Sequence, residues 1–291
     1  MKKKRVLLLI LIAFVMGFFL SFLTSKDSLR ETLTFFPIDP NVNYLETSTS
    51  LQVLLLEDED EYTLDWNTES SLDQVAYLRQ DLSLLFEDGR LKETMSTWQE
   101  DSQSLSLEER VAGEDSGHFE AISFHHAEMH YPNDEIKSSQ KMSYDQLYVI
   151  DSPLTPLQSF KEPSNGKERE AKTILDSIVS QQLNYVWNDL IDFYNVPTDK
   201  YSKLPLTQLK QYQDEPLPGL TQKETSKVIG GLWEGIYKNY FLGIKMNDGS
   251  VISPIGSSIP LILIHETSDH FIIVFQTKDG ERVQLLQTLS P

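Results

Sequence analysis

Eighteen consecutive residues, Val6 to Leu23, carry no charge and a single polar side chain, Ser21. At about 1.5 Å per residue they make a helix of about 27 Å, close to the thickness of a bilayer core. Lys2, Lys3, Lys4 and Arg5 stand just before them. Cationic flanks stay on the cytoplasmic side. The run therefore predicts a single-pass anchor over residues 6–23, with residues 1–5 as a cytoplasmic tip and everything after Thr24 outside. A cleaved signal peptide has a shorter apolar core and a small-residue cleavage site, which Leu23 and Ser25 match poorly. The lipid bilayer is the first expected partner, and the cell membrane the expected location.

Charge limits what the exterior does. The chain has 44 acidic and 25 basic residues, net −19, and without the four leading cations 21 basic residues remain, giving −23. A field of that sign repels phosphate backbones, so no nucleic acid is expected. The absence of cysteine excludes disulfides, thiolate zinc sites and thiol catalysis.

Residues 24–50, with Pro37, Pro40 and the run ETSTS, read as a stalk or linker. Residues 51–152 read as a β-rich part. In it, 51–66 (LQVLLLEDEDEYTLDW) predicts strand, acidic turn, strand. Glu57–Glu61 has neither the spaced ligands nor the glycine of a calcium loop. Leu72, Val75, Ala76 and Arg79 have helical spacing, Asp88-Gly89 marks a hairpin, and 100–116 reads as a mobile loop. Strands are expected at 118–131 and 145–150. Residues 153–167, with Pro153, Pro156, Pro163 and Gly166, read as a loop or linker.

Residues 168–291 are expected to hold two helices and a meander. Apolar residues recur at i, i+3 and i+4 from Ile174 to Tyr194 within a helix over 167–194, ended by Asn195-Val196-Pro197. Thr221 and Glu224 form a capping box ahead of a second helix, in which Gly230, Gly231 and Gly235 would admit a close neighbour. Strands near 241–246, 250–254, 259–266, 270–277 and 281–288 follow, with the continuous apolar FIIVF (271–275) as the central one. The fold class expected is α+β: an N-terminal transmembrane helix, then an antiparallel hairpin meander with both main helices packed on one face.

Four of the six histidines, His118, His125, His126 and His130, lie within thirteen residues. In a strand His126, Glu128 and His130 share a face at spacings of about 6.5–7 Å. Two His and a carboxylate form a known metal set, so a divalent metal on this trio is one reading. The segment would have to supply every ligand itself, and a strand with one partly polar face toward water is the favoured reading. A superficial similarity to α-type carbonic anhydrases fails on its ligands, since Ser123 and Leu147 stand at two of the three zinc positions.

Nucleophile-elbow and phosphate-loop patterns are absent, and Gly230-Gly231 falls inside a helix pattern. Trp187 and Trp233 sit on helix core stripes, which leaves Trp66 and Trp98 as possible ligand platforms. The expectation is a non-catalytic protein-interaction or regulatory module of the bacterial envelope, with no cofactor and a protein partner. Its docking surfaces would be the helix around Trp233 and the sheet edge near Glu281–Gln287. In type the chain resembles lysine-led, cysteine-free envelope proteins of Gram-positive bacteria. Two alternatives remain: a metal-dependent or cell-wall hydrolase using His126, Glu128 and His130, and a module binding a small solute between its two halves.

Overall fold

A computed structural model of the chain describes residues 33–54, 62–152, 155–246, 249–266 and 270–288. The anchor over 6–23 and the acidic turn 57–61 lie outside the described residues. By contacts the chain divides at Arg30, and everything described falls in the single unit Glu31–Pro291.

The dominant element is one long hairpin. Strand β2 (Tyr62–Glu87) and strand β3 (Arg90–Gly113) pair along nearly their whole length. They turn on Asp88 and Gly89, whose φ values of 48° and 80° are left-handed, the pattern a tight two-residue hairpin requires. Gly89 also backs onto α1 (Gly166–Phe193), where an added Cβ would meet Leu183 Cγ at 3.0 Å. Gly89→Ala is therefore expected to cost about 1–2 kcal/mol, read as a lower urea midpoint at unchanged slope.

Straight, 26 residues would reach about 85 Å, far more than a sheet of this size can use. The pairing breaks between Ser71 and Ala76, where a bulge interrupts the register. Bulges bend a strand and increase its twist. The two ends of the hairpin thus enter different layers. Strand β1 (Tyr44–Leu54) pairs with the first half of β2. Strand β4 (Gly117–Tyr131) pairs with the second half, and β5 (Glu135–Ser152) and β6 (Thr155–Phe160) continue that layer. Hydrogen bonds from β1 to β5, such as Leu51 N to Asp145 Oδ2 at 2.8 Å, tie the layers face to face. Leu51, Leu64, Trp66, Leu85, Phe119 and Leu147 fill one end between them. Leu72, Ala76, Ala127 and Met129 fill the other.

Several expectations are corrected here. Residues 72–79 are strand: Val75, which a helix would bury, is 58% exposed, and the inward pair Leu72 and Ala76 straddles the bulge. Residues 100–113 are strand as well, with Leu105, Leu107 and Val111 turned inward and the charged residues facing water. The lead-in is structured from Leu33 on. Phe35 N donates to Glu234 Oε2 at 2.9 Å, and Ser138 N to Pro37 O at 2.9 Å. Residues 44–50 lie in β1, and residues 155–160 of the expected linker form β6.

The C-terminal part follows its sequence more closely. α1 starts at the Asn165 cap and stops at Asn195, which has φ 52°. α2 (Gln222–Ile236) carries the Thr221–Glu224 capping box. Its glycines do admit neighbours: a Cβ on Gly230 would collide with the Phe35 ring, and one on Gly231 would meet Gln287 Nε2 at 2.8 Å. Strands β7 (Tyr201–Pro205), β10 (Leu261–His265), β11 (His270–Gln276) and β12 (Arg282–Thr288) make a four-stranded antiparallel sheet, with β11 internal as expected and β7 not anticipated. The short strands β8 (Ile244–Lys245) and β9 (Val251–Ile252) pair separately.

The helices do not share a face. Val186, Leu190 and Ile191 of α1 pack on Leu261, Leu263, Ile272 and Val274. α2 packs on the alternate set Ile262, Ile264, Phe271, Ile273 and Phe275. Strand side chains alternate, so the two helices cover opposite faces. The architecture is mostly antiparallel β-sheet with a few helices, α+β in character.

Candidate functional site

The histidine segment is β4, and its register with β5 is unbroken from Gly117 to Tyr131. Alternation therefore holds throughout. The face carrying Ile122 and Phe124 joins the core shared with α2. The opposite face points between the two sheet layers. Both faces are covered, which corrects the expected water-facing side: His118, His125, His126 and Glu128 are all buried.

The proposed trio does not converge on one point. His126 Nε2 lies 3.2 Å from Ser138 Oγ, while His130 Nε2 is 3.7 Å from Glu128 Oε2. The His130 ring stacks on Tyr77 at 3.7 Å. Among the described residues no group of three His, Cys, Asp or Glu is placed to hold a metal ion.

His125, on the other face, enters a buried polar chain. Its Nδ1 is 2.8 Å from Asp81 Oδ2 and its Nε2 is 2.8 Å from Ser143 Oγ. A carboxylate accepts only, so Nδ1 donates to Asp81. Thr49 Oγ1 lies 2.5 Å from Ser143 Oγ and 2.6 Å from Ser123 Oγ, and Ser83 Oγ is 2.6 Å from Ser123 Oγ. Ser70 donates to Asp81 at 2.5 Å and also receives a hydrogen bond from Arg79. Arg79 donates to Gln103 O at 2.6 Å, and its guanidinium lies 5.2 Å from the Tyr44 ring centre. Burial pushes the Tyr44 phenol well up.

Asp81, His125 and Ser143 have the bonding order of an acyl-transfer triad. A nucleophile must also meet its substrate at about 3–3.5 Å. Asp81 and His125 are 0% exposed and Ser143 5%, and Ser143 lines none of the grooves described below. The chain is a buried polar layer between two apolar clusters, and within it Asp81 Oδ1 and Arg79 Nε have no hydrogen-bond partner among the described residues. The sequence signal for it was the alternation in LRQDLSLL, where Arg79, Asp81 and Ser83 interleave with leucines; the helical spacing just before it obscured that period.

Three surface grooves are defined. One lies over Gln140, Met142 and Gln222, and one beside Tyr77 and His130. The third, about 340 Å³, lies where β4 meets α1 and the segment after β7. Its α1 wall is a helical face: Asp176, Ser180, Leu183, Asn184 and Trp187. His118 and Glu120 come from β4, and Thr207 and Gln208 from the far side. His118 stacks on Tyr148 at 4.1 Å. Its Nδ1 is 3.8 Å from Asp176 Oδ1, and its buried Nε2 has no hydrogen-bond partner among the described residues.

Tyr148 donates to Asp176 at 2.8 Å and Tyr144 to Glu120 at 2.9 Å. Burial, then the neighbouring carboxylates, raises both phenols. Lys172 Nζ pairs with Asp176 at 3.0 Å, whereas among the described residues no cation lies in ion-pair range of Glu120.

No protein-family model matches the chain, and no curated protein or solved structure is significantly similar to it. What the site does must be argued from its own residues. Trp66 and Trp233, one expected as a platform and the other as the centre of a docking helix, are both fully buried.

Proposed function

We propose that the chain is a single-pass membrane protein whose body, Glu31–Pro291, stands outside the cell as a non-catalytic interaction module of the envelope. The observation that carries the reading is the edge of the four-stranded sheet. Among the described residues β12 pairs with β11 on one side only, and its outer residues Arg282, Gln284, Leu286 and Thr288 are exposed. Leu286 is 66% exposed. A strand edge of this kind accepts an added strand from a partner. Arg282 is already engaged, donating from Nε to Asp189 of α1 at 2.8 Å. The anchor supports the topology: residues 6–23 hold lipid, and the segment from Leu33 knits directly into β5 and α2.

Two measurements test this. Protease added to intact cells should remove the body, and survival there with digestion after lysis would reverse the topology. A photo-crosslinker at position 286 in intact cells should give one discrete adduct with another protein. Leu286→Asp should abolish that adduct from a neighbouring crosslinker at Gln284 while changing stability by no more than about 0.5 kcal/mol. A chain that yields no adduct from either position does not use this edge.

A further inference from the structure

We infer that the groove between β4 and α1 is a binding site for a small organic cation bearing N–H donors, a primary amine or polyamine. Glu120 is half-buried and accepts from a neutral phenol, Tyr144, with no cation in range among the described residues. A carboxylate partly withdrawn from water favours an opposite charge close by. Asp176 has Lys172, so Glu120 is the charge left open.

His118 points to a ligand independently. It lines the same groove, is only 7% exposed, and its Nε2 has no hydrogen-bond partner among the described residues. A guest's donor would meet this nitrogen as it would meet Glu120. Asn184, Thr207 and Gln208 line the wall with groups that accept as well as donate. A guest must therefore bring donors, and an ammonium brings both donors and the missing charge. Trp187, fixed by its Nε1–H to Ile259 O at 2.9 Å, adds an aromatic surface that favours a cation. A volume near 340 Å³ sits at the small end of ligand pockets. The net −19 of the chain raises the local concentration of such cations.

The test is calorimetric titration of the full chain in nanodiscs of neutral lipid with putrescine, cadaverine and ethanolamine. Glucose, sodium glutamate and calcium chloride serve as the contrasting solutes at matched ionic strength. Saturable one-to-one binding of at least one amine is expected, weakening with added salt. Glu120→Gln keeps the size and the Tyr144 contact and should lower affinity on the order of tenfold or more. Asp176→Asn should weaken binding too, and it serves if Glu120→Gln misfolds. Asp214→Asn, in the other groove, should leave affinity unchanged. No amine binding, wild-type affinity in both Glu120→Gln and Asp176→Asn, or preferred binding of glucose, glutamate or calcium would overturn the assignment.

Discussion

Asp81→Ala is expected to destabilise the body by roughly 3–5 kcal/mol, the largest polar effect in the molecule. Asp81 and Arg79 are both fully buried, 3.8 Å apart, between the sheet layers. Removing the carboxylate strands the guanidinium, and it also takes the acceptor from His125 Nδ1 and Ser70 Oγ. Urea unfolding of the full chain in detergent, followed by tryptophan fluorescence, measures the loss. The companion variant decides the cause. Arg79→Met with Asp81→Leu removes both charges, and should recover most of the stability, because a buried pair replaced by apolar residues of similar size is near neutral. If the single variant lost less than about 1 kcal/mol, water would have to reach the pair, and the layer would be open.

The same pair shows where sequence reasoning stops. A hairpin was legible at Asp88-Gly89 because the turn demands left-handed residues there. Capping at Thr221 and the helix over 167–194 were legible because their signals are local. The long strands on either side of the hairpin were not. Residues 100–113 are polar on the water side, and their strand state comes from pairing with β2, which no local propensity encodes. Leu72, Val75, Ala76 and Arg79 have helical spacing because the bulge between Ser71 and Ala76 mimics a helical repeat. The histidine alternation was read correctly, but which face mattered depended on the sheet folding over it. His125, passed over as a candidate, joins the polar chain, while His118 reaches the groove only because α1, fifty residues later, packs across it. Sites assembled from distant segments leave no spacing in one of them.

Trp233→Ala should cost roughly 3–5 kcal/mol, the transfer energy of the ring plus the cavity it leaves. Trp233 is 0% exposed, stacks on Phe124 at 5.1 Å, and donates from Nε1 to the Met142 sulfur at 3.3 Å. It thereby joins α2 to both β4 and β5. Trp233→Phe keeps the stack and loses the sulfur contact, so about 1–2 kcal/mol is expected. A double-mutant cycle with Phe124→Leu isolates the ring pair, for which a coupling of about 0.5–1.5 kcal/mol is expected. A coupling near zero would mean that helix and sheet are held by Gly230 and Phe35 instead. In that case Gly230→Val, whose side chain has no room beside Phe35 and Gln140, would become the more damaging change.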